Sequence, residues 1–346
     1  MKYLRIFNDH TDYGDRREEL IYPNVSYCLQ EEELHYAGDY ERYLTFECVD
    51  NQWSELDFDL PEWLPISMVE YVEVSVDGGR TWDLYENDGE SGISIYIDDA
   101  PLDNKVMFRG SATQYAGQVY IDEETSTTLV YSYFSGNGGN FKVYGNIMSL
   151  FYADNFIDRS FSNGTNYNCY SLFYNFTGLI DASNLILPVT TLLEEHCYDS
   201  MFNGCTSLTT APVLPATTLA YRCYRYMFKG CSSLMVAPEL PVTTLANSCY
   251  QSMFQGCTSL TAAPVLLATT LVPYCYEAMF ASCANLRYVK AMFTTAPVTV
   301  APPGYTMSWL NNVAATGTFV KNVNANWSMP GIDGIPIGWT VQTVSA

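Results

Sequence analysis

Chemistry in a chain of this length would have to come from its eleven cysteines, three histidines and paired carboxylates. The cysteines are the most ordered set. Cys197, Cys223, Cys249 and Cys275 lie 26 residues apart, and Cys205, Cys231, Cys257 and Cys283 repeat that period eight residues later. Zinc binding is not expected, because no Cys-x-x-Cys pair occurs. A disulfide within a unit is excluded if the unit is helical: two turns put Cys223 and Cys231 roughly 12 Å apart, beyond the ~7 Å reach of a disulfide. The total is odd and Cys28, Cys48 and Cys169 fall outside both series. The expectation is reduced thiols stacked in a core.

The remaining candidates assemble into no reaction. His10, His35 and His196 are far apart in sequence. There is no nucleophile elbow, phosphate loop or His-Glu-x-x-His zinc motif. Asp57 and Asp59 share one strand face, but the acidic front of the chain makes such pairs common. Asn87-Asp88-Gly89-Glu90 lacks the ligand ladder of a calcium loop and reads as a solvated turn. The reading is therefore no catalysis, no cofactor and no metal.

Charge narrows the partners. The chain has 346 residues, 38 acidic against 16 basic, and a net charge of −22. Residues 1–125 hold 29 acids and 8 bases, which leaves 9 and 8 for residues 126–346. An acidic front and a nearly neutral back mark a change of module. Such a surface repels nucleic acid and anionic lipid. No stretch approaches the ~18 continuous apolar residues of a membrane span, so membrane insertion is not expected. The start of the chain lacks an uninterrupted apolar run and a cleavage site, so no secretion signal is read there.

The elements that would position a site follow from the repeat. Each unit reads Cys-Tyr-x-x-Met-Phe, then Cys, then Leu three residues on. Leu219, Cys223 and Met227 fall at i, i+4 and i+8, which predicts a short helix capped by Thr218 and ended by Gly230. Leu234, Ala237 and Leu240, with Pro238 and Pro241, predict a short strand after it. Cys169-Tyr170 through Leu179 forms a degenerate first copy. The expected architecture is an α/β leucine-rich-repeat solenoid of 26-residue units over 151–300, capped by 301–346. Before it, 44–150 predicts a small β-sandwich. Its strands are Tyr71–Val76, Ile93–Ile97, Val106–Phe108 and Phe141–Tyr144, with a turn at Asp77-Gly78-Gly79.

The Cys/Ala-x-x-Phe-x-x-Cys-x-x-Leu pattern with its proline-ended strand resembles the BspA-like leucine-rich repeats. Those occur on surface proteins of gut and oral anaerobes and of their phages. Ser75-Val76-Asp77-Gly78-Gly79-Arg80-Thr81-Trp82 resembles a single Asp-box, a hairpin device in which Asp77 closes the turn and Trp82 packs beneath it. Residues 1–43 form an anchor segment. Within it Pro23, Asn24, Val25, Ser26 and Tyr27, then Glu33, His35 and Tyr36, resemble a leader on phage and prophage proteins of the same bacteria. The resemblances imply a virion structural protein, a head or tail fibre or decoration. It would be held to the other virion proteins by its leader and form a homo-oligomer. Its repeats would face a host-surface glycan, host protein or mucus. A bacterial cell-surface adhesin and a tail-associated glycan depolymerase are the alternatives. Within the repeats, Cys, Met-Phe and Leu stay fixed while their neighbours change. The candidate ligand contacts among these changing residues are His196, Tyr221, Arg222, Arg225, Tyr226 and Tyr274.

Overall fold

The computed structural model describes residues 43–50, 53, 56–60, 67–88, 92–97, 101, 105–120, 127–136, 139–161, 165–188, 194–297 and 304–345. The anchor candidates Pro23 to Tyr27, Glu33, His35 and Tyr36 lie outside them, as does Cys28.

Ten strands come first: β1 (Leu44–Cys48), β2 (Asp57–Leu60), β3 (Val69–Ser75), β4 (Asp83–Glu86), β5 (Ile93–Tyr96), β6 (Lys105–Ala112), β7 (Ala116–Tyr120), β8 (Thr127–Tyr131), β9 (Tyr133–Ser135) and β10 (Phe141–Asn146). Alternation places them. In β5, Ile93 and Ile95 point inward while Ser94 and Tyr96 face out. In β3 a register shift between Val69 and Tyr71 sets Val69 and Val72, three residues apart, on the same buried side. The strands β10, β1, β6, β3 and β4 form one sheet, and β5, β2 and β9 form a second. Phenylalanines fill the space between them. Phe134 of β9 lies 4.8 Å from Phe46, 4.9 Å from Phe108 and 4.5 Å from Phe58. Each such pair contributes about 0.5–1.5 kcal/mol beyond its buried area.

The β3–β4 turn is built as the motif requires. Asp77 accepts hydrogen bonds from the Ser75 hydroxyl, the Arg80 and Thr81 amides and the Thr81 hydroxyl. Trp82 donates to the Gly79 carbonyl at 3.2 Å and stacks under the Arg109 guanidinium at 4.1 Å. Arg109 is bound in turn by Glu73 and Asp154, so this cluster is internally satisfied.

The expectation of an α/β leucine-rich-repeat solenoid is corrected here. Among the described residues the one α-helix, α1 (Ser149–Tyr152), precedes the repeats. After it come β11 (Leu179–Asp181) and β12 (Leu185–Ile186), then no named strand until β13 (Tyr288–Ala291), β14 (Thr318–Asn322) and β15 (Thr340–Val344). Residues 219–230 are a run of turns, not a helix.

The reason lies in the backbone. Positive φ recurs every fourth residue, at Arg222, Tyr226 and Gly230, then Ser248, Ser252 and Gly256. A right-handed helix cannot contain it. Instead, amides alternate between two partners. Ser248, Tyr250, Ser252, Phe254 and Gly256 donate to carbonyls of the next unit, at Pro273, Cys275, Glu277, Met279 and Ala281. Cys249, Gln251, Met253, Gln255 and Cys257 donate three residues back within their own unit. Each amide is paired, half of them between units, and this offsets the roughly 1–2 kcal/mol that each non-glycine positive φ costs. A four-residue apolar rhythm serves this ribbon as well as it would a helix, hence the misreading.

Inside the ribbon, side chains stack in files. Phe202, Phe228, Phe254 and Phe280 lie 5.5–5.7 Å apart and nearly parallel. Tyr198, Tyr224, Tyr250 and Tyr276 form a second file at 5.9–6.1 Å. The ten described cysteines are free and buried. Thiols of Cys205, Cys231, Cys257 and Cys283 each donate to a carbonyl of the preceding unit, from Phe173 to Phe254, at 3.0–3.1 Å. Cysteine suits these places because it fills a small apolar gap and still has a proton to give.

One core joins the front and the back. β10 pairs in parallel with β11 and β12, and Phe173 lies 5.7 Å from Phe134 and 5.1 Å from Phe202. Sheet and core thus cross the boundary drawn at residue 150. Past residue 300 the bonding pattern continues: Tyr276, Ala278, Phe280 and Ser282 donate to Tyr305, Met307, Trp309 and Asn311. The segment read from sequence as breaking the repeat therefore holds a further turn of it, and β13, β14 and β15 follow in parallel register.

Candidate ligand-binding face

The ribbon decides which side chains can meet a ligand. Within the unit at 221–231, Cys223, Tyr224, Met227 and Phe228 are buried, while Tyr221, Arg222, Arg225, Tyr226 and Lys229 are half-exposed. The bonding register then stacks equivalent positions: His196 over Arg222, Ser248 and Tyr274, and Asp199 over Arg225, Gln251 and Glu277.

This register creates a cluster. Asp199 is fully buried, and its Oδ2 lies 2.8 Å from His196 Nδ1 and 2.9 Å from both Arg225 Nε and NH2. Its Oδ1 accepts the Ser200 hydroxyl at 3.0 Å. An ionised carboxylate only accepts, so it fixes Nδ1 as the protonated nitrogen of His196. The His196 ring stacks on Tyr167 at 4.7 Å and meets the edge of Tyr221 at 5.8 Å. Arg222 lies over Tyr221 at 4.6 Å, and Arg225 and Lys229 both approach the Tyr226 ring at 4.9 Å. Tyr170 borders the cluster, and burial together with the Asp199 charge pushes its phenol up. Tyr131 of β8 joins Tyr170 and Tyr174 at 5.5 and 6.3 Å, so the aromatic surface continues onto the front of the chain.

Five of the six sequence candidates meet here: His196, Tyr221, Arg222, Arg225 and Tyr226. Tyr274 does not touch them; it sits in the His196 file two units further on. Asp199, Tyr167, Tyr170 and Lys229 were missed. The available signal was periodic: Asp199 precedes Arg225 by 26 residues, so stacking puts opposite charges side by side.

Ser, His and Asp coincide, but in the wrong order for a nucleophile. Ser200 gives its proton to Asp199, and His196 also faces Asp199 rather than the hydroxyl. In a working triad the imidazole stands between the other two. All three side chains are buried. The cluster is a rigid foundation for the rings and cations above it, suited to holding a ligand by stacking, charge and hydrogen bonds. No family model, no curated protein and no solved structure matches the chain.

Proposed function

We propose that this chain is a virion structural protein that displays its repeat face for adhesion to a host-surface glycan and performs no reaction. Residues 1–43 attach it to the particle, and homo-oligomers multiply weak contacts by effective concentration. One observation carries the adhesive part: residues that change from unit to unit gather on one aromatic and polar face, while the constant Cys, Met, Phe and Leu form the interior. The attachment role rests on the leader resemblance.

Incubation of the full chain with capsular polysaccharide from host cells tests this reading. Retention of the chain on the polysaccharide, with no new reducing ends, is the expected outcome. Release of oligosaccharide would replace the adhesin with a depolymerase.

A further inference from the structure

The Tyr221–Tyr226 patch differs in charge from the rest of the molecule. Residues 201–300 contain five basic side chains, and three of them, Arg222, Arg225 and Lys229, fall within one unit. Arg225 is committed to Asp199. Arg222 and Lys229 are not: each lies over a tyrosine ring, and the buried Nε of Arg222 has no hydrogen-bond partner among the described residues. The unit therefore offers two uncommitted cations beside two ring faces on a chain of net charge −22.

The neighbouring units set the polarity. On one side stand Glu194 and Glu195. On the other, residues 245–270 carry no charge, and Asn247, Gln251 and Gln255 supply amides to the same face before Tyr274 is reached. A ligand seated here meets cations and rings first, then neutral amides, then another ring. An extended sugar chain with a carboxylate at one residue matches that order: the carboxylate meets Arg222 and Lys229, and the sugar faces stack on Tyr221 and Tyr226.

We infer that the ligand is an acidic polysaccharide bearing sugar carboxylates, bound across the unit at 221–229 toward Tyr274. The inference rests on the adhesive reading above and narrows its ligand. The overall negative charge works against indiscriminate polyanion binding, so recognition requires the rings as well as the cations.

The test uses the full chain with polygalacturonate, neutral dextran and polyphosphate as separate probes in affinity electrophoresis. Retardation by polygalacturonate alone is expected. Arg222→Gln with Lys229→Gln should weaken it about tenfold, and Tyr221→Ala with Tyr226→Ala by a similar factor. Arg222→Lys keeps the charge and should retain most of the binding, which separates loss of charge from loss of fold. Equal retardation by dextran would overturn the acidic ligand and leave the adhesive reading standing. Equal retardation by polyphosphate would show charge attraction without sugar recognition, and would overturn the inference. No retardation by any probe, with host polysaccharide still bound, would also overturn it. If host polysaccharide is not bound either, the adhesive reading falls with it.

Discussion

Between pH 9 and 11 the folded chain should lose its structure. An ordinary thiol titrates at about 8.5. Burial pushes Cys223, Cys275 and Cys283 up to about 12. The other described cysteines of the two series, and the four stacked tyrosines, are raised by burial as well. In each case the folded state holds its proton more tightly than the unfolded state. The stabilisation is therefore complete below the unfolded value and is lost as pH rises toward the folded one. Each thiol costs about 1.4 kcal/mol per pH unit above 8.5. At pH 10.5 the three thiols together remove about 8 kcal/mol, on the order of a whole domain's stability. Tryptophan fluorescence against pH should show a cooperative transition near pH 10 to 11. Cys223→Ala with Cys275→Ala and Cys283→Ala should move it upward or flatten it. A fold that persists unchanged to pH 12 would contradict the buried files of thiols.

The second large effect concerns Asp199. Its carboxylate is fully buried and relies on Arg225 for its charge partner. Replacing Arg225 with methionine keeps the bulk of the side chain and strands the charge. Stranding a buried charge costs about 3–5 kcal/mol. Removing both charges, with Asp199→Asn and Arg225→Met, should recover most of that loss, because the amide can still accept from Ser200. Urea unfolding of the two variants measures the difference. If Arg225→Met stays within about 0.5 kcal/mol of the parent, the pair is ornamental. The foundation assigned to the binding face would then be wrong.

The sequence was legible where its signal has one structural meaning. The 26-residue spacing of Cys197 to Cys275 foretells side-chain files, and Ile93 to Ile97 foretells a strand. It was misleading where one pattern serves two backbones. Leu219, Cys223 and Met227 recur every fourth residue, which fits a helix and equally a ribbon of turns with positive φ at Arg222 and Tyr226. That choice depends on amides pairing between units, and a single unit does not show it. The turn at 304–312 was hidden for a similar reason. Trp309 and Leu310 stand where Met279 and Phe280 stand one unit earlier, and the step between them is 30 residues rather than 26. Candidate site residues could be found by their variation, but Asp199 could not, because it varies and is nevertheless buried. Only the stacked register explains it, through Arg225 one unit later.

The central claim is that this chain rides on a virus particle and adheres through its repeat face. Peptide mass spectrometry of density-purified particles, run beside the envelope fraction of the host, tests it most directly. Peptides of this chain at structural copy number in the particles are the expected result. Peptides confined to the cell envelope would contradict it and make the chain a bacterial surface adhesin.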